Sequence, residues 1–498
     1  MNSILQAMKS DLEDKPKADA CPWRPKYHFT APSHWMNDPN GTIYFNDEYH
    51  IFYQHNPYGS NWGHMHWGHA KSKNLVHWEH LPIALAPSLD KGEKHCFSGC
   101  CVNNDGTPFI LYTMIGRLID IPGNAEQWGA VSDTSMIKWK KLKENPILSD
   151  DLHGDMEIRH WRDPYVWRDN ESDVKWNCVL GGHVKGADHG SAFRYSSDDL
   201  IDWKYENILC TGIEGEGNNW ECPNFFYLDG KYVLLFSPHS AVRYIIGNLE
   251  NGKLIRESSG LINLSRTYYA TNTIKGPNGD LILLAFLSKG GNRGWNGSLA
   301  IPRILHINNR KQITQEPIKQ LESLRTSHKE WHSLRLGKHC PNISQLVFKG
   351  RDVSFELQMN LNSLEMLDKN RISLEFKKRW RKREIAFDIG KNTIKIGKDC
   401  KEVYLQKELG NNTPVRVSIF IDRNIAEIFI NDIICYSHHL NLKPASLTVP
   451  TTVNLKNKGD EILINDIHVW KLKGADFDIR PFIQYIQTKI NKDSDENK

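Results

Sequence analysis

The feature that most constrains the fold is a repeat of a polar turn followed by a strongly apolar strand. It occurs five times in the first part of the chain, at 46–54, 104–113, 173–182, 228–237 and 277–286. Three of the copies are followed by a second shared segment that begins with serine and ends with Trp78, Trp139 or Trp203, so that successive tryptophans are 61 and 64 residues apart. Repetition at such a period is typical of proteins built from several copies of one small structural unit.

This repeat predicts an all-β protein that begins with a β-propeller. Five units of about 50–65 residues, each with several short strands, are the expected pattern of a five-bladed propeller. We place this catalytic domain at residues 22–320. Tandem β-sandwiches with coincidental turns are the alternative, but they do not explain why five turn–strand copies share one order.

The rest of the chain has a different pattern. Residues 345–472 contain a series of alternating apolar and polar runs, which is typical of sheets with one solvated face and predicts a β-sandwich domain. Residues 321–344 are predicted to be a linker, and residues 473–498 a C-terminal helix with a charged tail. Helical periodicity is almost absent before residue 480.

Three acidic residues occupy equivalent places in the repeat. Asp38 and Asp163 each lie 13 residues before a residue of the next apolar strand, and Glu221 lies 12 residues before one. This spacing places all three near one end of the innermost strand of a blade, and in a propeller these ends converge on the central axis. The repeat therefore predicts three carboxyl groups around one pocket.

Clustered carboxyl groups among aromatic rings have shifted pKa values, so that one can be protonated while another is ionised. These two states are what glycoside hydrolysis by a pair of carboxyl groups requires. Each acid alone also has a structural interpretation, as a turn residue before proline or as the partner of an arginine. The equivalent placement of all three favours catalysis.

Five motifs, in this order, resemble those of glycoside hydrolase family 32, which includes invertases, inulinases, levanases and related fructosyltransferases. They are WMNDPNG, FYQHNP, Phe-Ser-Gly, RDP and Glu-Cys, at 35–41, 52–57, 97–99, 162–164 and 221–222. The resemblance implies a five-bladed propeller followed by a β-sandwich. It also implies that Asp38 is the nucleophile, that Asp163 stabilises the transition state by hydrogen-bonding the fructosyl hydroxyls, and that Glu221 is the acid/base.

The same resemblance implies a set of sugar contacts around the acids. An arginine beside carboxylates is also commonly just a salt bridge, and the two tryptophans of the set have a place in the core as their alternative. Residues 183–193 and 266–270 depart from the family pattern, and the first of these segments touches the leaving group in the family. The candidate substrate-binding residues are Asn37, Gln54, Trp62, Phe97, Ser98, Arg162 and Trp295.

This chemistry requires neither a metal nor an organic cofactor, and we predict none. His64, His66 and His69 form an H-x-H-x-x-H segment whose imidazoles are candidate metal ligands. Packing and hydrogen bonding is the favoured interpretation of these histidines, because the resemblance accounts for this loop without a metal.

Composition argues against large charged partners. Lysine and arginine total 63 and aspartate and glutamate 59, which leaves a net charge of +4 over 498 residues. This is too little positive charge to indicate binding to nucleic acid or to an anionic membrane.

No apolar stretch approaches the roughly 18 residues of a membrane span, and the N-terminus has no signal-type apolar run. The ten cysteines form no CxxC pair, which favours reduced thiols and a cytoplasmic protein.

The sequence therefore predicts a retaining β-fructofuranosidase that hydrolyses terminal non-reducing β-D-fructofuranosyl residues through a covalent fructosyl-enzyme. The expected partners are small sugars, namely sucrose, sucrose phosphate or short fructo-oligosaccharides, and a homodimer is a candidate assembly. One alternative is a fructosyltransferase or fructan exohydrolase with the same three acids. The others are a non-catalytic sugar-binding propeller and a metal-dependent hydrolase that uses the histidine segment.

Overall fold

The computed structural model describes residues 3–116, 125–168, 175–288, 291, 293–338, 340, 343–361, 369–388, 390–410, 414–442 and 449–495. Residues 173–174 of the third predicted turn and residues 496–498 of the predicted tail lie outside these ranges. Strands dominate the described chain, and helices are few. The all-β prediction is confirmed in this general form. None of the helices in the described ranges is long and apolar enough to cross a membrane.

Five sheets follow one another along the first part of the chain, and within each the strands pair mainly in chain order. The first three sheets contain β1 (His34–Phe45), β2 (Glu48–Asn56), β3 (His66–Ser72) and β4 (Trp78–Leu85); β5 (His95–Asn104), β6 (Thr107–Ile115), β7 (Ala125–Ser132) and β8 (Trp139–Lys141); and β9 (Ile158–Trp167), β10 (Trp176–Val184), β11 (Ser191–Ser197) and β12 (Trp203–Thr211).

The fourth and fifth sheets continue this order, and a short strand that follows β18 leaves the fifth sheet to pair in parallel with β1. The strands are β13 (Glu221–Leu228), β14 (Lys231–Ser237), β15 (Arg243–Glu250) and β16 (Lys253–Leu261); then β17 (Tyr268–Lys275), β18 (Leu281–Leu287), β19 (Trp295–Asn296), β20 (Ser298–Leu299), β21 (Arg303–Ile307) and β22 (Ile313–Pro317).

The first strands of the five sheets form a closed ring. Strand β1 packs against β5, β5 against β9, β9 against β13 and β13 against β17, and β17 returns to β1. The five predicted apolar runs are the second strands of these sheets, β2, β6, β10, β14 and β18, which are largely buried. The ring therefore brings five equivalent strand ends to one place.

The shared serine–tryptophan segments are the turns that lead into the outer strand of three sheets. The hydroxyl oxygens of Ser72 and Ser197 each accept a hydrogen bond from the backbone N–H three residues later, at 2.8 and 2.9 Å. Such turns use a short polar side chain in place of a backbone partner. The tryptophan that ends each segment is the first residue of β4, β8 or β12.

The second part of the chain forms two six-stranded sheets whose apolar faces share one large core. Residues 325–336 of the predicted linker are not a connector, because they form an edge strand of the first of these sheets. The strands are β23 (Arg325–Leu336), β24 (Ser344–Gly350), β25 (Ser354–Leu361), β26 (Arg371–Lys378), β27 (Arg381–Asp388), β28 (Thr393–Ile396), β29 (Asp399–Glu402), β30 (Val415–Asp422), β31 (Ile425–Ile430), β32 (Ile434–His439), β33 (Thr451–Asn457) and β34 (Ile462–Leu472).

Both chain ends return to the first sheet. The described chain has three α-helices: α1 (Ser3–Asp19), the short α2 (Leu405–Leu409) and the C-terminal α3 (Arg480–Asp495). The sequence analysis did not predict α1, which packs against α3. Their apolar side chains and Ile83 of β4 form one small cluster, and β35 (Phe477–Asp478) pairs with β4. The helix α1 has 17 residues and contains Pro16, and these tertiary contacts stabilise it.

A buried ionic network joins the five sheets to the second part. His28 contacts Asp422 through Nδ1 at 3.0 Å and Glu427 through Nε2 at 2.9 Å, and Arg303 also binds Glu427. All four side chains are fully buried. Burial by itself lowers the pKa of His28, but the hydrogen bonds with the two carboxylates outweigh it and raise this pKa to about 9.

We expect His28→Gln to destabilise the protein in a pH-dependent way. The folded-state pKa of His28 lies above its unfolded value of 6.5, so its stabilisation is complete below pH 6.5 and is lost as the pH rises through about 9. A shift of this size corresponds to about 3 kcal/mol, which agrees with the cost of removing one partner of a buried ion pair. The check is the urea unfolding midpoint at pH 6 and pH 9.5.

The matched control is His306→Gln, because His306 pairs with Asp229 but is about half exposed. Its effect on the midpoint should be small at both pH values. A His28→Gln loss that is equal at pH 6 and pH 9.5 would contradict the charged state of His28.

Candidate active site

The closed ring brings the three predicted acids together. Asp38 lies in β1, Asp163 in β9 and Glu221 at the start of β13. Cys222 connects them, since its backbone N–H donates to Asp163 Oδ2 at 2.9 Å and its thiol lies 3.6 Å from Asp38 Oδ2. The structure thus places the three carboxyl groups around one point.

The local geometry that achieves this is a β-bulge repeated in all five inner strands. Between two successive residue pairs, the inner strand advances by three residues while its neighbouring strand advances by two. A bulge of this kind bends the strand and redirects side chains, and Asp163 and Cys222 adopt positive φ angles of 63° and 48° within it. The bulges span Met36–Pro39, Cys96–Gly99, Arg162–Tyr165, Glu221–Asn224 and Tyr269–Asn272.

Asp38 is bound by neutral donors. The Ser98 hydroxyl donates to its Oδ2 at 2.6 Å, and the Asn37 amide donates to its Oδ1 at 2.8 Å. Hydrogen bonds orient both donors. The Gln54 amide donates to the Ser98 hydroxyl oxygen at 3.0 Å, and the indole N–H of Trp35 donates to Asn37 Oδ1 at 2.7 Å. Burial raises the pKa of Asp38, and the bonds from Ser98 and Asn37 oppose this rise only in part.

Asp163 is buried between the other two acids. The guanidinium Nε of Arg162 lies 3.8 Å from its Oδ2, and the Thr113 hydroxyl accepts a hydrogen bond from its backbone N–H at 2.8 Å. Burial raises the pKa of Asp163 to about 7, although the charge of Arg162 acts in the opposite direction. This carboxyl group therefore carries a proton for part of the time near neutral pH.

Glu221 has a different environment, rich in cations and donors. A guanidinium N–H of Arg162 donates to its Oε1 at 2.5 Å, His239 Nε2 lies 3.1 Å from the same oxygen, and the Tyr269 hydroxyl donates to its Oε2. Burial alone raises the pKa of Glu221. The hydrogen bond from His239, the charge of Arg162 and the other contacts outweigh burial and lower this pKa to about 2.

The acid role that the resemblance implies for Glu221 requires a proton, whereas the surroundings of this carboxyl group lower its pKa. The reason is that the positive and donor groups converge on Glu221, whereas Asp38 receives hydrogen bonds from uncharged groups. The sequence motifs contain no sign of the His239 contact.

The other predicted contacts fall into two groups. Asn37, Gln54, Ser98 and Arg162 belong to the hydrogen-bonded shell of the acids, as described above. Trp62 is 45% exposed and meets the Phe97 ring edge-on, with ring centroids 6.0 Å apart. Phe97 precedes Ser98 in β5 of the second sheet, whereas Trp62 lies between β2 and β3 of the first sheet. An exposed indole can stack on a sugar.

Trp295 is placed elsewhere. It is 2% exposed and packs with Ala18 and Cys21, while its backbone pairs with His34 of β1. The structure therefore brings its indole into a small core cluster and not into the shell of the acids.

The histidine segment is also accounted for by packing. His66 Nδ1 is hydrogen-bonded to the His64 carbonyl, and His69 is buried, 3.0 Å from His50 and stacked on Phe52. Among the described residues, the one group of three side chains with metal-ligating geometry is elsewhere in the chain.

Sequence reasoning missed three residues that contact the acids: Cys222, Tyr269 and His239. Tyr269 could have been found, because it lies 13 residues before Ile282 in the fifth apolar strand, the same spacing as for Asp38 and Asp163. His239 follows β14 and has no counterpart in the repeat, so no spacing argument reveals it.

Comparison with known proteins identifies the family of the chain. Residues 28–317 match the family model described as the glycosyl hydrolases family 32 N-terminal domain. The chain belongs to glycosyl hydrolase family 32. It is therefore an enzyme of the glycoside hydrolase class, as the sequence predicted.

Individual relatives cover most of the chain. The sucrose-6-phosphate hydrolase of Zymomonas mobilis is 31% identical, over 82% of this chain and 84% of that protein. The raffinose invertase of Escherichia coli is 27% identical, over 87% and 92%. Among solved structures, a family 32 β-fructofuranosidase of Bombyx mori has a TM-score of 0.77 and 26% identity, and covers 95% of this chain and 99% of its own.

We expect His239→Ala to raise the pKa of Glu221. The substitution removes a hydrogen bond that stabilises the carboxylate, and because His239 is 60% exposed the rise should be about one pH unit or less. The measurement is a ¹³C NMR titration of glutamate carboxyl groups, with the Glu221 signal assigned by its loss in Glu221→Gln.

His306→Ala is the control, since it removes another contact between a partly exposed histidine and a carboxylate, outside the described shell of the acids. Its Glu221 signal should titrate as in the unsubstituted protein. A Glu221 titration that is unchanged, or moved to lower pH, in His239→Ala would sink this account of the site.

Proposed function

We propose that the protein is a retaining β-fructofuranosidase that hydrolyses terminal β-D-fructofuranosyl residues of sucrose, sucrose phosphate or short fructo-oligosaccharides. The observation that carries this proposal is the pair of unlike carboxyl groups, Asp38 among neutral donors and Glu221 among cations, joined by Cys222 in one buried cluster. The names of the relatives, a sucrose-6-phosphate hydrolase, an invertase and a β-fructofuranosidase, support the same substrate class.

The architecture that we propose is a five-bladed β-propeller at residues 22–320 and a β-sandwich at residues 345–472, preceded by β23. The closed ring of five first strands supports the propeller, and the shared core of the two six-stranded sheets supports the sandwich. In this arrangement the strand ends that carry the acids surround the propeller axis, and the sandwich supports its outer side through the His28 network.

In the proposed mechanism, ionised Asp38 attacks C2 of the fructosyl group and Glu221 protonates the departing oxygen. Water then attacks C2 of the fructosyl-enzyme and displaces the Asp38 carboxylate, and Glu221 receives the proton of that water. Ser98 and Asn37 hold Asp38 in place. Asp163, whose carboxyl group is buried in the cluster, is positioned to bind fructosyl hydroxyls rather than to reach the leaving group.

Glu221 must gain a proton before it can act as the acid, although the structure stabilises its ionised form. His239 is the contact of Glu221 that can move, because it is 60% exposed whereas Arg162 is almost fully buried. We infer that the leaving group takes the place of His239 beside Glu221. Loss of that hydrogen bond raises the pKa of Glu221, which is the direction that acid catalysis requires.

The two acid roles can be separated with an activated aryl β-fructofuranoside, whose good leaving group does not need protonation. Glu221→Ala should release a rapid burst of phenol and then turn over slowly, because no base activates water, and added azide should accelerate the slow phase. Asp38→Ala should show no burst. On sucrose, both variants should lose about a thousandfold or more in kcat.

Folding of both variants is verified by their urea midpoints. The assignment of acid and nucleophile fails if the two folded variants lose activity equally on aryl and natural substrates and neither shows a burst.

A substrate panel tests the proposed class. We expect kcat/KM to be highest for sucrose or sucrose 6-phosphate, lower for 1-kestose, and lowest for inulin and levan. Preference for a polymer would replace the proposed function by that of a fructanase. Formation of kestose-type products in place of free fructose at high sucrose concentration would indicate a transferase.

A further inference from the structure

Two histidines and a glutamate lie together on the outer face of the sandwich, outside the shell of the catalytic acids. The antiparallel register of β23 and β34 sets His328 opposite Trp470 and Glu330 opposite His468. Residues two apart in a strand share a face, so this register puts the four side chains on one side of the sheet.

The ligand atoms of this group are close to one another. His328 Nε2 lies 3.0 Å from His468 Nδ1, and Glu330 Oε2 lies 3.9 Å from His468 Nδ1 and 4.0 Å from His328 Nδ1. In a tetrahedral zinc site with bonds of about 2.0–2.2 Å, neighbouring ligand atoms are about 3.3–3.5 Å apart. One ligand atom from each of the three side chains lies within 4.8 Å of the other two, so side-chain rotations can bring one set of three atoms to this spacing.

The two imidazoles are held by an aromatic platform. The Trp470 ring is parallel to both, at 4.8 Å and 6° from His328 and at 5.3 Å and 14° from His468. The Arg325 guanidinium also lies over the Trp470 ring, at 4.0 Å, and is paired with Glu356. This packing restricts rotation of the imidazoles and reduces the entropy lost when a ligand binds.

The three side chains remain open to solvent. His328, His468 and Glu330 are 37%, 33% and 50% exposed. Water can therefore reach the group as a fourth ligand, and a metal ion can enter without opening the fold.

We propose that His328, Glu330 and His468 form a binding site for a divalent transition-metal ion of the zinc class. Two imidazole nitrogens and one carboxylate oxygen are a ligand set that zinc accepts. The ion ties the edge strand β23 to β34, so its role is to stabilise this edge of the sandwich. This site is independent of the proposed glycosidase mechanism, because it shares no residue with the catalytic shell.

The competing interpretation is a simple hydrogen bond between the two imidazoles. The same 3.0 Å separation accommodates one proton between His328 and His468. Zinc competes with protons for imidazole nitrogens, so metal affinity should fall as the solution is made more acidic.

The test is isothermal titration of the full-length chain with zinc chloride at pH 7.5. We expect a saturable site that is weakened at least tenfold in His328→Ala and in His468→Ala, and less in Glu330→Gln. His332→Ala is the matched control, because it removes another exposed histidine from the same strand, and it should bind zinc as the unsubstituted chain does.

Cobalt(II) provides a second measurement that distinguishes this site from the thiols of the chain. The bound ion should show visible tetrahedral bands without a thiolate charge-transfer band, and the bands should disappear in His328→Ala. Zinc should also raise the Tm of the unsubstituted protein and of His332→Ala, because a ligand that binds the folded state stabilises it.

Three results would overturn the proposal. They are the absence of saturable zinc binding, equal binding in the His328→Ala, His468→Ala and unsubstituted proteins, and a cobalt spectrum dominated by thiolate. Circular dichroism and the Tm without metal establish that the variants are folded, and His328→Gln replaces His328→Ala if the smaller side chain disturbs the Trp470 stack.

Discussion

The β-bulge shared by the five inner strands is the constraint on which the site depends. Regular alternation would send successive side chains to opposite faces of their own sheet. An extra residue near the same end of each strand instead turns Asp38, Asp163 and Cys222 toward one point. The positive φ angles of Asp163 and Cys222 are unfavourable for residues with a side chain. The closed ring of packed strands must therefore stabilise this conformation.

The same arrangement explains why the acids differ. The groups around each carboxyl come from its own sheet and from neighbouring sheets: Ser98 of the second sheet hydrogen-bonds Asp38, while Arg162 of the third sheet and His239 of the fourth contact Glu221. Burial raises the pKa of all three acids, and the contacts with His239 and Arg162 lower that of Glu221. Since only His239 of these contacts is exposed, the protonation of Glu221 depends on what occupies that side of the pocket. Leaving-group binding and acid catalysis are then coupled through one contact.

Much of this could be predicted from the sequence, because spacing relative to the apolar strands measures position along a blade. That spacing located Asp38, Asp163 and Glu221 in first strands, and applied to the fifth turn it also gives Tyr269. It could not reveal His239, which follows a second strand. It also could not reveal α1, which lies outside the repeat and packs against β4 and against α3 at the other end of the chain. For Trp295, composition alone did not separate a pocket from a core position.

The first sheet carries the nucleophile and is also the sheet to which both chain ends attach. Asp11 of α1 is fully buried, accepts a hydrogen bond from Ser33 and contacts His55 Nε2 at 2.8 Å. His55 Nδ1 in turn binds the Trp35 carbonyl at 2.8 Å, three residues before Asp38. At the β4 edge of the same sheet, β35 pairs with β4, and α3 packs against β4 beside α1. Because small displacements of a nucleophile cost large factors in rate, this sheet is the one in which such support is most useful.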